Sequence, residues 1–275
     1  MTTLDADGIR AALVDVTSAQ LELLEVFAEI DSTNSYLMQQ PGPRPGFLRA
    51  AATLNQTAGR GRYGKQWHSP PGAGLCLSIA YTCARKPENL SALTLAIGLG
   101  AIRALRVCEV PDVMLKWPND LVLGDRKLGG ILTEAQSQGQ EVVSIVTGVG
   151  LNIDVGASFD DELDPDRALA AVDLKSRCAE LPTRERLTAQ LINEIHATFA
   201  EYDACGFTSF YRRWPAHDWL RGKQVTVDTQ RQKVAGVAAG IAEDGALLID
   251  TAGTVHRVTS GSVLLGVPAG CGAAP

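Results

Sequence analysis

Leu90, Leu93, Ile97, Ala101, Ala104 and Leu105 recur at intervals of three and four residues, the spacing of one face of an α-helix. They predict a first long helix over residues 87–108, with Pro87 near its start. Leu187, Leu191, Ile192, Ile195, Phe199 and Tyr202 keep the same rhythm and predict a second helix that Thr183 caps and Gly206 ends. Elsewhere the period falls to two. Leu75, Leu77 and Ile79 alternate with Cys76 and Ser78, which suits a strand buried on both faces. Further strands are predicted at 21–30, 47–54, 113–117, 120–123, 127–135 and 142–153. Asp31, Ser32, Thr33 and Asn34 offer N-caps for a short helix ending at Gln40, and a proline- and glycine-rich break follows it. Residues 1–12 read as a weakly specified lead-in, and 55–74 as a long polar loop.

Strands in runs with few helices favour an α+β fold. After Trp219 the pattern changes to short segments built on Val225, Val227, Val234, Val237, Leu247, Leu248, Ile249, Val255 and Val258, punctuated by Asp244-Gly245 and Ala252-Gly253. This predicts a small all-β barrel over 218–275 beside a larger unit over 1–217.

Composition narrows the picture. The 275 residues are 45% hydrophobic and 20% charged, enough to bury a full core, which excludes a disordered or collagenous chain. The net charge of −6 argues against a surface built for DNA or anionic lipid, so any anion site is local. No basic stretch followed by an apolar core opens the chain, and no uninterrupted apolar run reaches the roughly 18 residues of a membrane span. The six cysteines, Cys76, Cys83, Cys108, Cys178, Cys205 and Cys271, form no CxxC pair and read as reduced packing residues. A cytoplasmic protein without a protein-held metal is expected.

One window departs from the acidic average. Between Asp31 and Glu88 there is no Asp or Glu, whereas Arg44, Arg49, Arg60, Arg62, Lys65, Arg85 and Lys86 all fall there. Local carboxylates would cancel the field a phosphate needs, so the window reads as an anion pocket. At its centre lies Gly59-Arg60-Gly61-Arg62-Tyr63-Gly64-Lys65-Gln66-Trp67. These glycines fit both GxGxxG and GxxxxGK, yet either motif needs a helix that starts within it to present amides to phosphate. Here His68-Ser69-Pro70-Pro71-Gly72 follows, so the loop reads instead as a mobile strap over an anionic ligand, its glycines giving freedom and its arginines charge. Two further stretches carry chemistry. Lys116-Trp117-Pro118-Asn119-Asp120 precedes Lys127-Leu128-Gly129-Gly130, and Gly148-Val149-Gly150-Leu151-Asn152 has small residues that let a ligand lie against strand backbone. Taken alone, the first also suits a structural Lys–Asp pair and the second a bulge.

Together with Asp31-Ser32-Thr33-Asn34 and Gln56-Thr57-Ala58-Gly59, in this order and spacing, these stretches resemble the biotin protein ligases over residues 31–155, and more loosely to the C-terminus. The resemblance implies a catalytic domain like those of class II aminoacyl-tRNA synthetases, with a mixed sheet, and a small SH3-like barrel. It implies ATP-dependent, Mg2+-assisted transfer of biotin through biotinyl-AMP to a lysine of a biotin carboxyl carrier domain. It places Ser32, Thr33 and Gln56 on biotin's ureido ring, where a buried polar group needs partners, and counts Asn34 among the biotin-binding residues. Gly59 and Gly61 join them on the biotin side, and Gly130, Gly148 and Gly150 lie along the tail. Arg60, Arg62 and Lys127 fall on the biotin carboxylate and the ATP phosphates. Trp67, Asn119 and Asn152 are implied on the adenylate side, and Asp120 as the carboxylate that receives the target lysine. The family's repressor members carry a DNA-reading domain of some 60 residues ahead of the catalytic part, for which the 30 residues before Asp31 are too few; no DNA binding is expected. A monomer or weak homodimer is expected. The rival readings are a lipoate ligase of the same fold, which would need a pocket for an apolar dithiolane, and a non-catalytic ligand-sensing module.

Overall fold

The computed structural model describes residues 4–83, 87, 89–137, 143–156, 169–229 and 232–266. Arg85, Lys86 and Cys271 lie outside these described residues. The larger unit is built on a seven-stranded mixed sheet of order β1-β2-β3-β7-β6-β5-β4. Its strands are β1 (Leu21–Phe27), β2 (Leu48–Thr53), β3 (Gly74–Thr82), β4 (Val113–Lys116), β5 (Asp120–Leu123), β6 (Arg126–Ser137) and β7 (Val143–Asn152). Only β1 and β2 run parallel; every other neighbouring pair is antiparallel. The alternation in β3 means what it suggested, because all nine of its residues are buried.

One face of the sheet packs against α4 (Leu90–Val107) and α5 (Arg184–Cys205). The other carries α3 (Thr33–Gln39), whose Leu37 meets Ala51, Ala80 and Val146 in a smaller apolar cluster. Period two in β3, β6 and β7 then puts Cys76, Ser78, Gly130, Leu132, Glu134, Gly148 and Gly150 on the α3 side, next to the cleft described below. Thr183 caps α5 and Gly206, at φ 65°, ends it, as the sequence predicts. For α4 the start differs: Asn89, two residues beyond Pro87, is the cap, because its Oδ1 can accept from the amides of Ser91 and Ala92. Length and composition would let α4 cross a membrane, but most of it is buried here between the sheet and α5.

Two expectations need correction. The stretch 1–12 is no loose lead-in where it is described: it contains α1 (Ala6–Ala11), and α2 (Asp15–Gln20), which the sequence did not show, follows it. These short helices dock on α5 through the fully buried Ile9, a bond from the Val14 amide to Asn193 and contact between Thr17 Oγ1 and His196 Nδ1. Their apolar positions are too few to show helical periodicity without that partner. Not every cysteine is packing, either. Cys76, Cys83 and Cys108 are buried and Cys178 partly so, but Cys205 is exposed.

The C-terminal unit contains β8 (Gln224–Asp228), β9 (Lys233–Ile241), β10 (Leu247–Thr251), β11 (Thr254–Val258) and β12 (Ser262–Leu265), an antiparallel sheet of order β11-β10-β9-β8-β12. It shares one contiguous core with the larger unit. The buried Trp117 donates its indole N–H to Gly245 O at 3.0 Å, Trp219 donates to Gly124 O at 3.0 Å, and Asn89 Nδ2 donates to Asp244 O. Gly245, at φ 82°, faces α4 so closely that a Cβ there would meet Ala92 and Leu95 at 3.1–3.2 Å.

Candidate active site

The loop between β2 and β3 is a tight hairpin rather than a coil. Trp67 N donates to Gly59 O at 3.0 Å and Gly61 N to Lys65 O at 2.7 Å, with Arg60 bridging Gln66 between them. A single 3-10 turn over Arg62–Gly64 closes it, with Tyr63 and Gly64 in the left-handed region. No α-helix starts among its glycines, in agreement with the rejection of the two nucleotide motifs. The hairpin roofs a cavity of ≈ 440 Å3, within the size range of small-molecule sites. Its floor is Cys76, Gly130, Leu132 and Gly150, and β12 with the preceding Gly261 supplies a wall.

At one end the cavity is neutral and polar. Gln56 Oε1 accepts from Thr33 N at 2.8 Å and lies 3.1 Å from Thr33 Oγ1, which lies 2.7 Å from Ser78 Oγ. Ser78 donates to Asn34 Oδ1 at 2.6 Å, and Asn34 Nδ2 donates to Leu132 O and Glu134 Oε2. Each hydroxyl has one proton. With the Ser78 proton on Asn34, the short Thr33–Ser78 contact takes the Thr33 proton, and the Thr33 amide satisfies Gln56. The Ser32 hydroxyl accepts from Ser35 N as the cap of α3 and keeps its proton. The Gln56 Nε2 protons meet no acceptor among the described residues. These donors sit where a ligand's carbonyl can take them.

At the other end the cavity is cationic. Asp120 Oδ1 pairs with Lys127 Nζ at 2.6 Å and Oδ2 with Lys116 Nζ at 3.3 Å. Burial alone would raise the Asp120 pKa, but Lys127 and Lys116 together overcome it and hold the carboxyl at about 2. Lys116 is 3% exposed, and burial pulls its pKa down, helped by Lys127 and Lys65 and opposed by Asp120. Arg62 stacks on Tyr63, 4.8 Å from its ring centroid, and has no carboxylate within 4 Å among the described residues. Lys127 is aimed by a bulge: Leu121 pairs with Gly129 but Val122 with Lys127, so Leu128 is the extra residue. The Lys127 backbone is clamped to Ala170 and Val172.

Of the residues singled out from sequence, Ser32, Thr33, Asn34, Gln56, Arg60, Gly61, Arg62, Trp67, Asn119, Asp120, Lys127, Gly130 and Gly150 line this cavity, whereas Gly59, Gly148 and Asn152 do not. Gly59 lies at the crossing of the hairpin's two ends. A Cβ on Gly148 would collide with Asn34 Oδ1, so this glycine makes room for the polar network rather than for a ligand tail. Asn152 is buried, its amide donating to Val172 O at 3.1 Å and Lys127 O at 3.4 Å; it braces the Lys127 backbone. Asn119 is tied to Ile131 by two bonds and fixes the β5 turn. Trp67 lies on Gly150, where a Cβ would meet the indole at 2.5 Å, and 5.9 Å from Lys127 Nζ. The basic window divides: Arg44 and Arg49 pair with Glu22 away from the cavity, and Arg60 is held by Glu134 at 2.7 and 3.1 Å. Sequence reasoning left Lys116 outside the candidate site and missed Cys76, Leu132 and the Gly261–Leu264 segment; period two in β3 could have flagged Cys76.

A cavity with neutral donors at one end and three cations at the other, on a mixed sheet bordered by a small β unit, defines a class. Residues 26–152 match the biotin/lipoate A/B protein ligase family, and residues 221–266 match the biotin protein ligase C-terminal domain. The chain is 33% identical over 265 residues to the bifunctional ligase/repressor BirA of Salmonella typhimurium, covering 95% of this chain and 78% of that protein. It is 31% identical over 271 residues to the biotin–acetyl-CoA-carboxylase ligase of Mycobacterium tuberculosis, covering 95% of each. The structure of biotin protein ligase from Aquifex aeolicus in complex with biotin and ATP superposes with a TM-score of 0.73 at 26% identity, over 90% of this chain and 99% of that one. The chain belongs to the biotin protein ligases.

Proposed function

We propose a division of labour in the cavity for the reaction of this family, in which ATP activates biotin as biotinyl-AMP and the biotinyl group passes to a protein lysine. The observation that carries it is the polarity of the cavity: Ser32 and Gln56 offer protons at one end, and at the other Lys116 and Lys127 pair with Asp120 while Arg62 lines the same end without a paired carboxylate among the described residues. Biotin has the matching polarity, with a neutral ureido ring, an apolar chain and an anionic carboxylate. Its ring carbonyl meets the Ser32 and Gln56 donors, and its chain crosses Gly130 beneath Trp67. A dithiolane would leave those buried donors unpaired, at a cost of about 1–3 kcal/mol each.

In the first step a carboxylate oxygen of biotin attacks the α-phosphorus of ATP; the new O–P bond forms as the bond to pyrophosphate breaks. Two anions must meet, so Lys127 and Arg62 bridge them and stabilise the charge that develops at phosphorus. In the second step the target amine attacks the acyl carbon and AMP leaves, with release of a proton. Asp120, at about 2, is too weak a base at neutral pH while both lysines hold it. As Lys127 is drawn to the ligand's anions, Asp120 loses its nearer partner and can steer the incoming ammonium and take its proton. The acceptor is a carrier-domain lysine of a biotin-dependent carboxylase, the acetyl-CoA carboxylase of the relatives' names supplying the nearest chemistry.

Among the described residues the donor set does not fit a protein-held Mg2+. Among the described residues Asp120 and Glu134, the carboxylates beside the cavity, are both taken by cations, and no three His, Cys, Asp or Glu converge. The ion belongs to the substrate, Mg·ATP, held by phosphate oxygens. Biotin-dependent exchange of labelled pyrophosphate into ATP tests the first step. Wild-type exchange with biotin and none with lipoate is expected; exchange that favours lipoate would overturn the reading.

A further inference from the structure

Glu134 is a carboxylate beside a cavity built for anions, and its position needs a reason. It stands on β6, on the same face as Gly130 and Leu132, and its two oxygens take two guanidinium nitrogens of Arg60 at 2.7 and 3.1 Å. Among the described residues Arg60 alone of the hairpin side chains is bound to the sheet by a two-point pair, a geometry that fixes direction as well as distance. The pair is partly open to water, Arg60 44% and Glu134 21% exposed, so it adds little to global stability. It is suited to opening and closing.

The other end of Glu134 is anchored. Its Oε2 also accepts from Asn34 Nδ2 at 3.0 Å, and Asn34 ends the directed chain that runs Thr33 Oγ1 to Ser78 Oγ to Asn34 Oδ1. Thr33, Ser78 and Asn34 are each less than 5% exposed, so these bonds face no competition from solvent. Gly148 lacks the side chain that would push the Asn34 amide out of this chain. Gln56, at the base of the hairpin, is bound to Thr33. The hairpin is therefore held at its root by Gln56 and along its span by Arg60, and one buried network of hydrogen bonds joins the two grips.

We propose that Glu134 is a positioning residue of the ligase reaction: it latches the Arg60 hairpin over the biotin end of the cavity. The Asn34–Ser78–Thr33 relay ties that latch to the groups that receive the ureido ring. A ligand that orders Ser32, Thr33 and Gln56 orders Glu134 with them, and the roof closes on biotin before ATP chemistry begins. This rests on the biotin reading above. It also removes Arg60 from the anion-binding set, since its charge is already matched.

Hydrogen exchange across residues 59–67 reads the latch directly, because the Gly61 and Trp67 amides carry the hairpin's bonds. Glu134→Gln keeps an oxygen for Asn34 but loses the charge that holds Arg60. Exchange in the ligand-free variant should speed by about 5- to 10-fold, with a rise of similar size in KM for biotin and a much smaller change in kcat for adenylate formation. Arg60→Gln, at a half-exposed site that cannot unfold the core, should raise exchange by the same factor, and the double variant should add nothing further. Unchanged exchange in both single variants, or independent and additive effects, would overturn the latch. If wild type failed to bind biotin in a calorimeter, the biotin reading would fail instead; wild-type binding with unaltered exchange in the variants would sink the latch alone.

Discussion

Asp120→Asn separates a clamp from a base. The carboxyl is held at about 2 against an ordinary 3.8, a depression of roughly 2 units, which at 1.36 kcal/mol per unit is about 2.5 kcal/mol of differential stabilisation of the charged form. Its side chain is 14% exposed, so solvent screens little of this. The stabilisation is present above pH 4 and is lost as pH falls through about 2, because a depressed carboxylate must then be protonated in the folded state. The substitution also leaves Lys116 buried without its counter-ion, and breaking such a pair costs about 3 kcal/mol. Urea unfolding at pH 7 should therefore show a loss of about 2–3 kcal/mol for the variant. Lys116 has a lowered pKa in the folded state, so its unpaired charge costs less as pH rises, and the gap between variant and wild type should narrow between pH 7 and 10. A variant as stable as wild type at pH 7, yet slower by on the order of 10²-fold in transfer from preformed biotinyl-adenylate, would refute the clamp and leave Asp120 as a base alone.

Lys127→Ala should cut biotin-dependent pyrophosphate exchange by about 10²- to 10³-fold, the usual cost of one oriented charge at a reacting phosphorus; near-wild-type exchange would displace Lys127 from the first step. Gly150→Ala should push the indole of Trp67 off the floor and raise KM for biotin by roughly 10-fold, a loss of about 1.4 kcal/mol, with fluorescence of Trp67 shifting to that of a wetter site; an unmoved spectrum would count against the packing. Trypsin should cut the ligand-free hairpin at Arg62 or Lys65 and biotin with ATP should protect it, whereas cleavage indifferent to ligand would deny the roof its closure. Among the described cysteines, burial pushes Cys76 and Cys83 up to about 12, so Cys205 should alkylate first at pH 8. Prior labelling of Cys76 would show that the cavity floor opens.

The long elements were legible because their apolar spacing is a direct image of the core. α4 and α5 bury unbroken stripes, and β3 has no exposed face to confuse the period. The site was legible as a set of residues but less so as roles. Gly148 and Gly150 are alike in sequence, and only the third dimension distinguishes a glycine facing Asn34 from one facing Trp67. Arg60 and Arg62 differ by two positions, yet one meets Glu134, 74 residues away in the chain, and the other does not. A basic window predicts local charge; it cannot predict which distant carboxylate claims which arginine. Helices α1 and α2 were missed for a related reason, since their stability lies in contacts with α5.

The wall that β12 gives the cavity ties assembly to chemistry. Among the described strands it is the last in the chain, and it sits beside β8 at one edge of its sheet. All the strands of the larger unit precede it in the chain, so the pocket gains this side only after they have been made. Biotinyl-AMP is a mixed anhydride that water destroys, so a chain cut before Gly261 would be a vessel with a missing side: able to fold much of its sheet, but poorly able to keep its own intermediate. The strand that closes the small β unit's sheet at the β8 edge is thus also a side of the reaction vessel.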